Sequence, residues 1–397
     1  MTAIVVSERW AEVVGQDQAV AQLQRAAERP VHAYLLVGPR GSGVEEAARC
    51  FAASLITTDD DVRSWELVLR GVHPDVVEVD PPATQIRIED AQTIIDEVSR
   101  SPIEGSRKVI VLFDAERLRL NETAANKLLK TLEEPPPRAV IVLVTSGADQ
   151  LLPTIRSRCQ RVDFAFLSAE SVANALRGGG VAPERAELLA RLAGGRVDRA
   201  RALDGRLGPV RDAFVAVAYA MDGTGGVVAE QSERIQSALH ETLTGLEAAQ
   251  AGDVEQLSSE LEAAGYPERT QRAQLRRLEE RQKRAHRRAR TDALLEGITA
   301  LETVYRDALA ASDSERLNLD HDVLVLVTRA AAAALDACRA ARQAIAEFNP
   351  NETLLVERLL LHLPAVGDAR NALRAADAQP VHSPPRRSSS DGRAAHS

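Results

Sequence analysis

The chain has 397 residues, of which 45% are hydrophobic and 27% charged, and its formal net charge is −9. That length exceeds one ordinary hydrophobic core and predicts two to three domains in a soluble globular protein. The negative balance excludes free-standing nucleic-acid binding by bulk charge, so any contact with DNA must come from a local patch or a partner.

Aromatic residues make up only 3% of the chain, so its cores must be built from Ala, Leu and Val, a balance that favours helices. Cys50, Cys159 and Cys338 lie far apart without metal-ligand spacing, as expected of a protein in a reducing compartment with no disulfide framework. The N-terminal stretch carries Glu8 and no long apolar core, and no apolar run approaches the roughly 20 residues that span a bilayer. The expectation is a cytoplasmic protein with no membrane contact.

Four short apolar runs precede residue 165: Tyr34–Val37, Val76–Val79, Val109–Phe113 and Ala139–Thr145. Each has the β-branched or leucine-rich character of a buried parallel strand. Helical stretches at Val44–Leu55, Ile88–Ser99 and Asn121–Leu132 alternate with them, the last stopped by the prolines at 135–137. Strands alternating with helices predict a doubly wound α/β core.

In such a core, ligands sit at the carboxyl ends of the strands. The turn after the first strand holds Gly38, Gly41 and Gly43, which fit a phosphate loop of the form G-x-x-x-x-G-K-[ST]. The lysine of that pattern is replaced by Val44, and the hydroxyl that would ligate magnesium by Glu45. After the third strand, Asp114 stands where a magnesium-associated aspartate belongs, read as a helix cap or a solvated strand-end carboxylate. Ala115 stands where a water-activating glutamate belongs, and Glu116 is one residue too far along. The site is expected to hold neither ATP nor magnesium.

Several motifs in order resemble the bacterial DNA polymerase III clamp loader, within the AAA+ ATPases. They are Val14-Gly15-Gln16, the run from His32 to Pro39, His73-Pro74-Asp75, the run from Asn126 to Pro136 that contains LLKTLEEPP, and Ile155-Arg156-Ser157-Arg158-Cys159. Asn349-Pro350-Asn351 with Leu354–Leu363 looks like the last collar helix. The resemblance is strong over 10–165 and weaker beyond. It implies an AAA+ core (1–165), a small helical lid (166–208), an all-α collar (209–377) and a disordered tail (378–397).

A broken phosphate loop with a retained Ser-Arg-Cys triplet resembles the non-catalytic delta-prime type of subunit. The resemblance implies that Arg158, flanked by Ser157 and Cys159 on a helix started by Pro153, reaches the ATP of an adjacent motor subunit. The implied partners are gamma/tau and delta subunits in a hetero-oligomeric ring, with the sliding clamp and primer-template DNA reached through that complex. Residues 51–73 lack the cysteines that hold zinc in many relatives, so no metal is expected. Thr145 falls at the sensor-one position, with a structural role expected. Arg196 and Arg199 fall at sensor-two spacing but are read as solvated. Val323–Phe348 is apolar enough to pack in a bundle. Residues 269–290 form a basic stretch, read as a projecting, solvated arm. Two other readings are an active gamma/tau-like motor, disfavoured by Val44 and Glu45, and a repair adaptor on a decayed AAA+ scaffold.

Overall fold

The computed structural model describes residues 9–366, apart from 59, 81–85, 87, 264 and 349. The tail assigned to 378–397 lies outside the described residues. After α1 (Asp17–Glu28) come β1 (Ala33–Val37), α2 (Val44–Ile56), α3 (Val62–Leu69), β2 (Val76–Val79), α4 (Ile88–Val98) and β3 (Lys108–Leu112). Then follow α5 (Glu122–Glu133), β4 (Ala139–Thr145), the short α6 (Pro153–Arg156) and β5 (Gln160–Asp163). The strands form one sheet in the order β2-β3-β4-β1-β5, every neighbour pair parallel. The expected α/β core is therefore present.

Its fifth strand was not among the predicted ones. Gln160–Asp163 is an edge strand with only Val162 buried, so it lacks the apolar run that marks a central strand. On either face of the sheet a separate core forms. Tyr34, Phe51 and Val142 lie in one, and Leu35, Ile94, Leu128 and Leu132 in the other, as strand alternation dictates.

Beyond the sheet the described chain is helical: α7 (Ala169–Gly178), α8 (Pro183–Ala193), α9 (Val197–Asp204), α10 (Gly208–Ala220), α11 (Gly225–Ala263), α12 (Glu268–Asp307), α13 (Thr328–Phe348) and α14 (Glu352–Leu361). One continuous cluster runs from Leu167 through Phe214 and Tyr305 to Leu363, so the three lid helices share a core with those that follow. The stretch before α13 is not helical, and Val323, Val325 and Val327 are exposed there. Packing runs along one face of α13, where Ala331, Ala334, Cys338 and Ala341 are buried, and Leu324 before it joins the same core.

The basic stretch 269–290 is not a projecting arm. It is the first half of α12, which pairs with α11 as a long hairpin that folds back onto the sheet domain. Gln282 Nε2 donates to the Gln250 carbonyl at 2.8 Å between the two helices. Near the hairpin turn, Leu257, Leu261 and Leu278 pack on Leu67 and Val72 of the sheet domain, all five nearly or fully buried. Around that seat, Arg70 pairs with Glu260 at 2.8 Å, and Arg63 donates to Tyr266 Oη at 2.9 Å. Arg277 and Arg281 approach Glu97 and Glu78 at 3.8 and 3.9 Å. Charge on every side suggested solvation from sequence. In the fold one side of the helix meets carboxylates, while Arg272 and Arg276 on the exposed side pair with Glu268 and Glu280.

His73-Pro74-Asp75 stitches the start of β2. The buried Asp75 carboxylate accepts from the amides of Ile103, Glu104 and Gly105 at 2.6, 2.8 and 2.7 Å. His73 is 1% exposed, and its Nδ1 accepts from the Asp75 amide at 3.1 Å. Burial pushes its pKa down from 6.5 to about 4, against the pull of Asp75 and Asp61.

Two outcomes are expected. Leu278→Ala should destabilise the chain by about 2–3 kcal/mol and raise hydrogen exchange at the hairpin end and α3 more than in the sheet; uniform exchange would mean the seat is not a local clamp. Because His73 stays neutral in the fold, its contribution is full above pH 6.5 and is lost as the pH falls towards about 4. His73→Asn keeps an acceptor without the titration, so urea unfolding should show less stability lost on acidification than in the wild type.

Candidate functional site: a glycine-loop cleft and an outlying arginine

The loop after β1 is held from three sides. Gly38 donates its amide to the Thr145 carbonyl at 3.0 Å, extending the β1–β4 pairing by one residue. Gln16, from Val14-Gly15-Gln16, donates through Nε2 to the carbonyls of Ser42 at 2.9 Å and Ala165 at 2.8 Å. Its Oε1 accepts the Ala165 amide at 3.2 Å, tying the loop to the chain beyond β5. Gly41 and Gly43 have φ of 73° and 91°, and a Cβ on Gly41 would collide with the Asp198 carboxylate. The loop thus keeps the backbone shape of a phosphate cradle at the amino end of α2.

The side chains at its end do not fit Mg·ATP. Val44 is 1% exposed and packs into the core rather than towards a ligand. Glu45 lines the cleft, and burial, followed by the neighbouring Glu46, holds its carboxyl above the usual range. A carboxylate there repels a triphosphate instead of ligating its metal.

Asp114 is neither a cap nor solvated. Its backbone is left-handed at φ 50°, its side chain caps no helix, and it is 8% exposed. Arg40 grips it from the loop with Nη2 at 2.5 Å and Nε at 3.3 Å, and Arg117 adds a contact at 2.7 Å. The predicted exposure failed because Arg40, three residues before Gly43, folds across the mouth of the loop. Two guanidinium groups therefore meet the carboxylate that a metal ion would need.

Ala115 is fully buried and offers no base. Glu116 is engaged elsewhere, accepting from Thr145 Oγ1 at 2.7 Å and Ser146 Oγ at 2.8 Å. Thr145 thus fastens the end of β4 to the segment after β3. Among the described residues no group of three or more His, Cys, Asp or Glu side chains is arranged to hold a metal.

Arg196 pairs with Asp198 at 2.7 Å beside the loop. Arg199, read as solvated, is instead largely buried and bidentate to Glu296 of α12, at 2.8 and 2.7 Å. Its partner lies 97 positions away, so periodicity gave no sign of the pairing. A cleft of about 580 Å³ remains, lined by Arg40, Glu45 and Asp198 on the core and lid side and by Arg277, Arg281 and Asp292 of α12. The hairpin forms its outer wall.

Ser157-Arg158-Cys159 lies elsewhere. The helix started by Pro153 ends at Arg156, so the triplet is the turn into β5 rather than part of a helix. The pairing of β5 with β1 draws the chain out of helical geometry there. Arg158 Nη2 donates to Glu133 Oε1 at 2.6 Å and Nη1 to the Thr154 carbonyl at 2.9 Å, leaving its side chain 34% exposed. Cys159 is partly buried, and burial pushes its thiol up to about 12, so it stays protonated and unreactive. Since β5 is parallel to β1, Arg158 lies at the amino ends of the strands and the loop at their carboxyl ends. With a rise of about 3.3 Å per residue, roughly 15–20 Å of sheet separates them.

Calorimetry with Mg·ATP is expected to show no low-micromolar binding. A Val44→Lys/Glu45→Thr variant should remain without appreciable hydrolysis, since Ala115 leaves water unactivated. Measurable turnover by that variant would show that a base exists elsewhere in the cleft.

The family described as "DNA polymerase III, delta subunit" matches residues 15–168. Subunit delta' of Bacillus subtilis DNA polymerase III is 33% identical over 171 residues, covering 42% of this chain and 51% of its own. Subunit delta' of Pseudomonas aeruginosa is 34% identical over 158 residues, covering 38% and 48%. Subunit tau of B. subtilis is 33% identical over 174 residues, covering 42% and 30%. The chain thus spans about half or less of the length of these relatives. A gamma subunit-related protein from Thermotoga maritima superimposes with a TM-score of 0.43 at 20% identity, covering 88% of this chain and 99% of that one. Over residues 15–168, this chain is similar to the delta family of DNA polymerase III subunits, and its matches include both delta' and tau subunits of that polymerase.

Proposed function

We propose that this chain is a non-hydrolysing, delta'-like stator of a clamp loader, which assembles with gamma/tau and delta subunits to load a sliding clamp onto primed DNA. In that complex Arg158 completes the ATP site of a neighbouring motor subunit, while the chain's own cleft holds no nucleotide. The observation that carries this reading is the placement of Arg158. It stands at the amino edge of the sheet, across the domain from the chain's own cleft, so a nucleotide it serves must belong to another subunit. A planar, permanently charged guanidinium at a domain edge suits charge neutralisation on a transferring phosphoryl group.

The similarity to tau and gamma subunits raises the motor reading as an alternative. Val44 in the core, Glu45 in the cleft and the Arg40–Asp114 pair weigh against it.

Arg158→Ala should leave the monomer folded and the complex assembled, because a half-exposed ion pair contributes little to stability. It should lower the clamp- and DNA-stimulated ATPase of the complex. A finger arginine is worth about 10³–10⁵ at its own site, and the remaining motor sites dilute that in bulk turnover. Arg158→Lys should rescue poorly, lacking the planar fork. An assembled mutant complex that loads clamps at the wild-type rate would overturn the assignment.

A further inference from the structure

The run LLKTLEEPP forms the second half of α5 and the turn that ends it. Leu128 and Leu132 are 0% and 1% exposed and seat α5 on the sheet, which fixes the rotation of the helix and the direction of its last residue, Glu133. A carboxylate at that end is electrostatically unfavourable, since the helix carboxyl terminus carries partial negative charge. Arg158, 25 positions later in the chain, meets it at 2.6 Å.

We propose that Glu133 is the positioning residue for Arg158, holding the guanidinium in the orientation from which it serves a nucleoside triphosphate on the adjacent subunit. The proposal rests on the reading of Arg158 as an arginine acting in trans.

The geometry supports orientation rather than sequestration. A guanidinium carries five N–H donors in a rigid plane. One on Nη2 goes to Glu133 and one on Nη1 to the Thr154 carbonyl at 2.9 Å. These two anchors, on separate nitrogens, fix the plane of the fork. They also leave further donors of the same plane to meet phosphoryl oxygens, with the side chain 34% exposed. The loop that carries Arg158 is short, lying between α6 and β5, so the backbone is set by the sheet and only the side-chain rotamers need an anchor. Thr154 lies on α6, and Glu133 ends α5 one residue before the three prolines at 135–137, so both anchors stand on stiff backbone.

The test uses the assembled complex with its ATPase subunits, comparing wild type, Arg158→Ala, Glu133→Ala, Glu133→Gln and the Glu133→Ala/Arg158→Ala pair. Glu133→Ala should lower the stimulated kcat about two- to fivefold, the range of an exposed ion pair, with the KM for ATP unchanged. The thermal midpoint of the isolated chain and the assembly of the complex should not change. Glu133→Gln, which keeps an acceptor oxygen, should recover part of the loss, and the double variant should match Arg158→Ala. If Arg158→Ala is impaired while Glu133→Ala equals the wild type, the positioning role is overturned. A loss in the double variant beyond that of Arg158→Ala would equally overturn it, because Glu133 would then act through another group. If Arg158→Ala itself equals the wild type, it is the trans-arginine reading that fails.

Discussion

Five strands that all run the same way impose a polarity on the sheet domain, and the chemistry of this protein follows from it. Parallel pairing collects the carboxyl ends of β1, β2 and β3 on one edge, where the glycine loop, Asp114 and the cleft lie. The same pairing sends the start of β5 to the opposite edge, where Arg158 and Glu133 meet. No change of rotamer can bridge a full strand length, so the two edges cannot cooperate on one ligand within one chain. The register of Tyr34 opposite Gln160 turns a motif list into two separate surfaces.

Along the cleft the protein answers its own charges. Asp114 meets Arg40 and Arg117, Glu78 meets Arg49 and Arg281, and Glu97 meets Lys108 and Arg277. Taking such groups out of water is costly, and breaking one pair would leave its partner buried and uncompensated. The consequence is a cleft that resists rearrangement. A triphosphate arriving with its metal would have to pull Arg40 from Asp114 while facing Glu45, and the chain offers no lysine in return.

The α11–α12 hairpin joins the remainder of the molecule to this arrangement. Near its turn it rests on Leu67 and Val72 and supplies Arg277 and Arg281 to carboxylates of the sheet domain, and farther along Glu296 takes Arg199 of the lid. A single long helix thus touches the sheet domain, the lid and the last helices, where Arg290 pairs with Glu352 at 2.8 Å. Two helices of such length, braced against each other and anchored at several points, constrain the angle between sheet domain and bundle more than a linker can.

Much of this was legible in the residue order. Apolar runs marked β1 to β4 because buried central strands need them, and the prolines at 135–137 marked the end of α5. Val44, Glu45 and Ala115 marked the three positions at which the glycine loop and the end of β3 depart from the phosphate-loop pattern, since such departures are read residue by residue whatever the packing. Edge strand β5 escaped because one buried residue in four carries no periodic signal. The basic stretch 269–290 was misread because charge all round a helix says nothing about which carboxylates will lie opposite it. By itself, then, the sequence determined the α/β core and the glycine turn after its first strand, both written in local patterns. Only the tertiary structure decided that Arg40 occupies Asp114, that Arg199 reaches Glu296, that the hairpin folds back, and that Glu133 holds Arg158. Each of those pairings joins residues far apart in the chain, and long-range electrostatic partners are chosen by the fold rather than by spacing.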